Sequence, residues 1–434
     1  MAMNYWLEHC RRPRPRPATI DWDVFISYRS ADRIWALALY DMLQQCGYKI
    51  FLDQYVLQAG GGVLSQLSAN LRRSASGVIV WSERSEDSAW VEREVSAMVE
   101  LKDAGAGSAR PFYFIAAKLD AHPLPALLTG SLYIDFSAYP DGPTGAELVR
   151  LTSGLQGASL DPPAVQRIAA FDNEVRQEPA TLRAFVATGQ FDKIRERALD
   201  DTAAYTSSAT LPALAAQLLI SGERIDEALA VLDRGQALFP RSIRLRQLRG
   251  LALRRAGRTL EALLELEKLR ADGHNDPETL GILAAAWTAS WKQSQNRDQL
   301  ERARDLYAQA FERSPSDTYS GINAASKSAM FGEMERAVEL AQRVLVILRR
   351  QTELRVGEPP SDYWERVTEP EALFLLGEFS DSLKLYHAAR IAHQEEKGSI
   401  RSTWAQLQLL LALPLVPAEW RARFQAEFAA FAGG

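Results

Sequence analysis

Near residue 160 the hydrophobic pattern of this chain changes period, so two different kinds of folded structure must be strung in series. Before that point, five short apolar runs recur: Val24 to Ser27, Ile50 to Leu52, Val78 to Trp81, Phe112 to Ala117 and Leu132 to Phe136. They are too short and too continuous to be solvent-facing helices, and they are rich in β-branched and aromatic residues that suit a pleated surface. Between them, Asp32 to Cys46, Val63 to Arg73 and Ala89 to Asp103 have helical composition. Helices between consecutive buried strands require right-handed crossovers onto one parallel sheet, which predicts a flavodoxin-like doubly wound α/β domain. In such a sheet the site lies beyond the carboxyl ends of the strands, here the segments after Ile26, Leu52 and Trp81.

Beyond residue 160 the strand pattern stops, and Leu/Ala-rich helical stretches are punctuated by Gly and Pro. Ala228 and Ala262 are 34 residues apart, as are Ala303 and Ala337, and this period resembles that of tetratricopeptide repeats. Gly222, Gly257, Gly332 and Gly377 fall at the expected turns, and Pro240, Pro277 and Pro315 where one helical pair gives way to the next. The 41 residues from Ala262 to Ala303 imply an insertion around Ser290 to Asp298. Small residues at repeat positions are read as packing, and Trp287, Trp291, Trp364 and Trp404 as core. From Asp317 onward, Tyr319 to Asn323, Asp362 to Trp364 and Glu371-Ala372 resemble the TRAF-binding helical region of apoptosis-signal-regulating kinases. The organisation expected is a basic, Pro-rich leader at 1–20, the sheet domain at 21–156, connecting helices at 157–205 and an all-α tetratricopeptide-like solenoid at 206–434.

Composition removes several function classes. Lys and Arg number 50 against 55 Asp and Glu, a net charge of −5 that gives no whole-chain reason to bind nucleic acid. The run Arg11 to Pro17 is read as a solvated leader. Two cysteines, Cys10 and Cys46, exclude a disulfide scaffold and fit a reducing compartment. Five histidines without paired ligand spacing, with cysteines far apart in the chain, argue against a zinc site. No apolar run reaches the roughly 20 residues that span a bilayer, and a cytoplasmic protein without membrane contact is expected.

The run Asp23-Val-Phe-Ile-Ser-Tyr-Arg29 before an amphipathic helix resembles the opening of Toll/interleukin-1 receptor (TIR) domains. The family's later landmarks follow in order: Phe51-Leu-Asp53, a BB-loop-like segment from Val56 to Gly62, Val80-Trp-Ser82, and Trp90 to Glu94. The resemblance covers about residues 21 to 150. It implies that NAD+ is cleaved in enzymatic members by a glutamate four residues after a tryptophan, here Glu94 after Trp90. That spacing puts both on one helix face, near the end of the third strand. The resemblance also places Tyr28 and Arg29 at the dinucleotide pocket, with Arg29 able to pair a pyrophosphate oxygen. Ser27 and Asp53 are further pocket candidates whose role as loop supports through backbone hydrogen bonds is weighed above ligand contact. A glutamate in the second turn of an exposed helix is ordinarily solvated, as Glu83, Glu92 and Glu100 are expected to be, and a Glu94 carboxyl pointing into bulk water with no cavity beside it would remove the enzymatic reading.

Breaking the bond from ribose C1′ to the nicotinamide nitrogen builds oxocarbenium character that a carboxylate stabilises. Nicotinamide leaves neutral, so neither a metal nor a cofactor is needed and NAD+ is the substrate. The BB loop, with Leu57, Gly60, Gly61 and Gly62, is where the resemblance implies self-association and a site completed between subunits. The expected activity is therefore NAD+ hydrolysis to nicotinamide and ADP-ribose, or to a cyclic isomer, regulated by the helical region in a bacterial immune or antiphage role. The competing reading is a non-catalytic adaptor that binds other TIR domains and carries an unidentified partner on its solenoid.

Overall fold

The computed structural model describes residues 5–52, 63–85, 89–108, 111–128, 132–354, 360, 362–414 and 416–431. Within it, residues 1–258 with 271–274 form one compact unit, and residues 259–270 with 275–434 another.

The first unit begins with the expected sheet. Strands β1 (Val24–Ser27), β2 (Ile50–Leu52), β3 (Ser76–Trp81), β4 (Tyr113–Lys118) and β5 (Tyr133–Asp135) alternate with α1 (Arg33–Gln45), α2 (Val63–Arg72) and α3 (Ala89–Ala104), and α4 (Gly145–Leu155) follows β5. All pairings are parallel in the order β2-β1-β3-β4-β5, with Phe25 opposite Phe51 on one side and Gly77 on the other. Chain order reverses at β1, leaving the crevice of a doubly wound sheet at the ends of β1 and β3. Side chains alternate across the sheet. Phe25, Phe51, Ile79, Trp81 and Phe114 pack with Leu67, Leu71, Val95 and Met98 of α2 and α3. Helices α1 and α4 pack against β2, β4 and β5, with Trp35 edge-on to Phe136 at 5.0 Å.

The run Arg11 to Pro17 is mostly exposed, as expected of a solvated leader, but the residues just before it are packed into the fold. Trp6 is 1% exposed and Cys10 is buried. The Tyr5 hydroxyl donates to Asp172 at 2.7 Å, the Arg11 amide to Thr152 Oγ1 at 3.2 Å, and Tyr48 to the Arg11 carbonyl at 2.8 Å. Arginines and prolines dominate the composition, but one large indole ahead of them has enough apolar surface to anchor the segment. Trp6 lies so close to α4 that a Cβ on Gly145 would sit 2.7 Å from Trp6 Cβ and 2.9 Å from Ile168 Cγ2. Gly145→Ala is therefore expected to destabilise the fold by about 1–3 kcal/mol despite alanine's better helix propensity, read as a lower denaturant midpoint. Cys10 and Cys46, 36 positions apart in sequence, are also brought together: the Cys10 thiol beside Cys46, with burial, pushes the Cys46 thiol far up.

Six helices complete this unit: α5 (Pro162–Ala187), α6 (Phe191–Ala198), α7 (Ala203–Thr206), α8 (Thr210–Ser221), α9 (Ile225–Leu238) and α10 (Ile243–Arg255). Asp172 of α5 caps α4, accepting from the Gly145 and Ala146 amides at 3.1 and 2.7 Å. From the other side, α10 meets α1, where Ser242 Oγ donates to Asp41 Oδ2 at 2.6 Å.

The second unit contains α11 (Thr259–Ala271, through residue 270), then α12 (Pro277–Ser294) with α13 (Arg297–Arg313), α14 (Thr318–Phe331) with α15 (Met334–Leu354), α16 (Tyr363–Leu375) with α17 (Phe379–Ala392), and α18 (Lys397–Leu411) before α19 (Ala418–Glu427). Ala228, Ala262, Ala303 and Ala337 are all fully buried, as close helix approach requires. The extra residues before Ala303 are absorbed by the 18-residue α12 and 17-residue α13. Gly257, Gly332 and Gly377 have left-handed φ, but Gly222 does not; there Glu223 takes φ 60°. Gly222 is needed for space instead, since a Cβ would fall 2.2 Å from the Phe191 ring. Of the four tryptophans expected in the core, only Trp404 is buried; Trp287 and Trp291 are half-buried, and Trp364 is 41% exposed. An indole at a helix edge can keep one side in water, as Trp287 does while donating to Glu267 at 3.0 Å.

Candidate active site

The ends of β1, β3 and β4 are tied into one frame. Asp32, just before α1, accepts from Ser82 Oγ at 2.6 Å and lies 3.6 Å from the Arg84 guanidinium. Ser82 in turn donates its amide to Ser85 Oγ at 3.2 Å, closing the short 3₁₀ turn Glu83–Ser85. Asp120, beyond β4, accepts from the Glu83 amide at 2.8 Å and the His122 amide at 2.9 Å, and Trp81 Nε1 donates to the Pro123 carbonyl at 2.9 Å. Burial raises the Asp32 carboxyl above its ordinary value, opposed by the Ser82 hydrogen bond and the Arg84 charge. Asp32 thus holds both ends of the turn that precedes α3.

Glu94 lies in the second turn of α3 and is only 8% exposed, unlike exposed Arg93 beside it and exposed Glu100 two turns on. Its neighbour Val95 belongs to the core beneath α3. Ser27, at the end of β1, shares the strand face of Phe25 by alternation and so lies on the α2/α3 side of the sheet. Its hydroxyl is buried without a hydrogen-bond partner among the described residues. A buried carboxylate and an unsatisfied hydroxyl thus sit on one side of the sheet, at elements bordering the crevice. A buried hydroxyl left open is costly in an apolar interior, and perturbed or buried polar groups concentrate at functional sites.

The remaining residues expected at the site divide. Tyr28 is buried directly after β1, and Arg29 is half-buried at the rim, donating to the Arg84 carbonyl. Trp90 is in the first turn of α3, with its side chain outside the described residues. Asp53, Leu57, Gly60, Gly61 and Gly62 also lie outside the described residues. Asp32 is visible in the sequence only as a helix start and Ser82 only as part of a strand-end motif. Ser82 is a polar side chain directly after β3 and Asp32 lies between β1 and α1, and only the fold reveals that the two meet. Among the described residues no group of three or more His, Cys, Asp or Glu could hold a metal ion, and no helix is long and apolar enough to cross a membrane.

Comparison with known proteins agrees with this geometry in two segments. The TIR domain family matches residues 24–151, and the family described as Tetratricopeptide Repeats-Sensor matches residues 224–328. A probable 2′ cyclic ADP-D-ribose synthase of Brucella melitensis is 30% identical over 86 residues, 20% of this chain and 34% of that protein. One bearing the same description in Brachypodium distachyon is 32% identical over 85 residues, 19% of this chain and 38% of that protein. The chain thus spans little more than a third of the length of these curated relatives. Among solved structures, a thermophilic TPR protein of Thermus thermophilus is 18% identical, with 46% of this chain and 99% of that one covered at a TM-score of 0.37. MamA of Desulfovibrio magneticus is 15% identical, with 41% and 96% covered at a TM-score of 0.34.

Proposed function

We propose that this chain, a TIR domain followed by tetratricopeptide-like helices, cleaves the nicotinamide–ribose bond of NAD+ with Glu94 as the catalytic carboxylate. The observation that carries the reading is the burial of Glu94 in the second turn of α3, where a solvated surface glutamate would be mostly exposed. The relatives described as probable 2′ cyclic ADP-D-ribose synthases support the same bond as the one broken.

In this reading the C1′–N bond breaks with its electron pair leaving on the nicotinamide nitrogen, which becomes neutral. Positive charge develops on the ribose, and a carboxylate held out of water stabilises it more strongly than a solvated one. Water then adds at C1′ and releases a proton to give ADP-ribose. Capture by a ribose hydroxyl of the same molecule gives a cyclic isomer instead. Trp90 would wall the base or ribose, Tyr28 and Ser27 line the pocket, and Arg29 face the pyrophosphate. Asp53 and the loop through Leu57, Gly60, Gly61 and Gly62 would complete the site against a second TIR domain. The helical region would set when that association occurs, in a bacterial defence role.

Nicotinamide release by the purified chain, followed over about two decades of protein concentration, tests both parts. Activity rising faster than linearly is expected for a site shared between subunits, and chromatography of the second product separates hydrolysis from cyclisation. No nicotinamide at any concentration, with or without crowding agent, would favour the adaptor.

A further inference from the structure

A cavity of about 260 Å3 lies in the first unit on the α1 side of the sheet, with α1, α5, α8 and α10 contributing to its wall. Neither Glu94 nor Ser27 lines it, and both belong to the α2/α3 side. Its size is near the lower end of ordinary ligand pockets, roughly 300–1,000 Å3. Trp35 and Leu214 give it an apolar wall that suits a flat ring.

Two buried polar atoms of lining residues have no hydrogen-bond partner among the described residues: Asp41 Oδ1 and Thr210 Oγ1. Asp41 is 7% exposed, and its other oxygen is already used by Ser242. A buried carboxylate oxygen left open in this way asks for an N–H donor. Arg84 and Arg183 also line the cavity, with side chains 66% and 51% exposed. Arg183 pairs with Asp141 through its two terminal nitrogens, and each guanidinium carries five N–H donors, enough to take an anionic group in addition.

We propose that this cavity binds a nucleotide whose base carries an exocyclic amine, the amine donating to Asp41 and the phosphate meeting Arg84 and Arg183. The apolar wall of Trp35 and Leu214 would receive the base. Asp32 is shared with the frame that holds the turn before α3, so an occupant would touch the support of the candidate catalytic helix without entering its crevice.

AMP and IMP differ at one position, an amine in the first and a carbonyl in the second, and serve as the probes. Burial pushes the Asp41 carboxyl up to about 7, against the pull of Ser242 and the Ile243 amide, so titration calorimetry of the full chain is run at pH 8, where the carboxyl is ionised. AMP is expected to bind at least tenfold more tightly than IMP and than ribose 5-phosphate. Asp41→Asn, which presents an amide of the same shape, should erase or invert the preference for AMP over IMP. Ala213→Met, which puts bulk into the cavity, should weaken AMP at least tenfold, while Glu94→Gln leaves it unchanged. Equal binding of the two nucleotides, no binding of AMP, a preference that survives Asp41→Asn, or loss of AMP binding in Glu94→Gln would overturn the proposal. Because the Asp41→Asn result is a change of preference within one folded variant, it does not rest on a loss that misfolding could mimic.

Discussion

Glu94→Gln should lower the rate of nicotinamide release from NAD+ by about 10²-fold or more while leaving the protein folded. The magnitude follows from what removing one preorganised electrostatic group costs elsewhere, about 3–4 kcal/mol of barrier. Glutamine keeps the volume and much of the hydrogen-bonding capacity of the buried side chain, so it opens no cavity beside Val95 and the core under α3. What it removes is the charge that, in the proposed reaction, meets the developing oxocarbenium. Because a buried carboxylate pays for its desolvation, the variant should melt at the same temperature or slightly higher. Arg93→Ala, one position away on an exposed part of the same helix, provides the comparison and should retain the wild-type rate. If Glu94→Gln retained activity within threefold of wild type at a concentration where wild type is active, the carboxylate would have no part in the chemistry.

Local pattern determines much of what can be read without coordinates. The five strands occur where short apolar runs placed them, with boundaries moved by no more than two residues, because strands buried on both faces, as β1 to β3 are, must be continuously apolar, while the edge strand β5 buries one face only. The 34-residue alanine spacing likewise located helix contacts, since each repeat buries its small residue against a near neighbour in sequence. Glu94 was legible as a residue type at a spacing, but its burial depends on how α3 settles against the sheet. The meeting of Asp41 with Ser242 joins residues 201 positions apart, and no periodicity encodes which helix of the array reaches α1. Trp6 was hidden for the opposite reason: the basic, proline-rich run beside it dominates the composition, while a single indole decides the packing.

The second large effect is expected in the helical region, at a buried polar cluster that no turn or repeat signal announces. Lys327 of α14 is 1% exposed and donates to Gln406 of α18 at 3.2 Å; Gln406 donates in turn to Glu371 of α16 at 3.1 Å, and Ser326 also donates to Glu371. Burial pushes the Lys327 ammonium down to about 8 from an ordinary 10.5, with Glu371 opposing, and burial raises the Glu371 carboxyl. Both shifts have the same sign of consequence: each group is held less readily in its charged form in the fold than in the open chain. Between about pH 8 and 10.5 the unfolded chain binds the lysine proton and the folded one does not, so stability should rise with pH across that window, by about 3 kcal/mol in all. Above about 4.5 the carboxyl works the other way, and stability falls as pH rises towards its folded value. Replacing both charges together, Lys327→Met with Glu371→Gln, should therefore stabilise the region by about 1–4 kcal/mol at pH 7 and abolish the rise above pH 8. Amide hydrogen exchange of α14 and α16 at pH 7, with denaturant melts at pH 7 and 9.5, reads both effects. A double variant that exchanges faster than wild type and still gains stability above pH 8 would place the titrating group elsewhere.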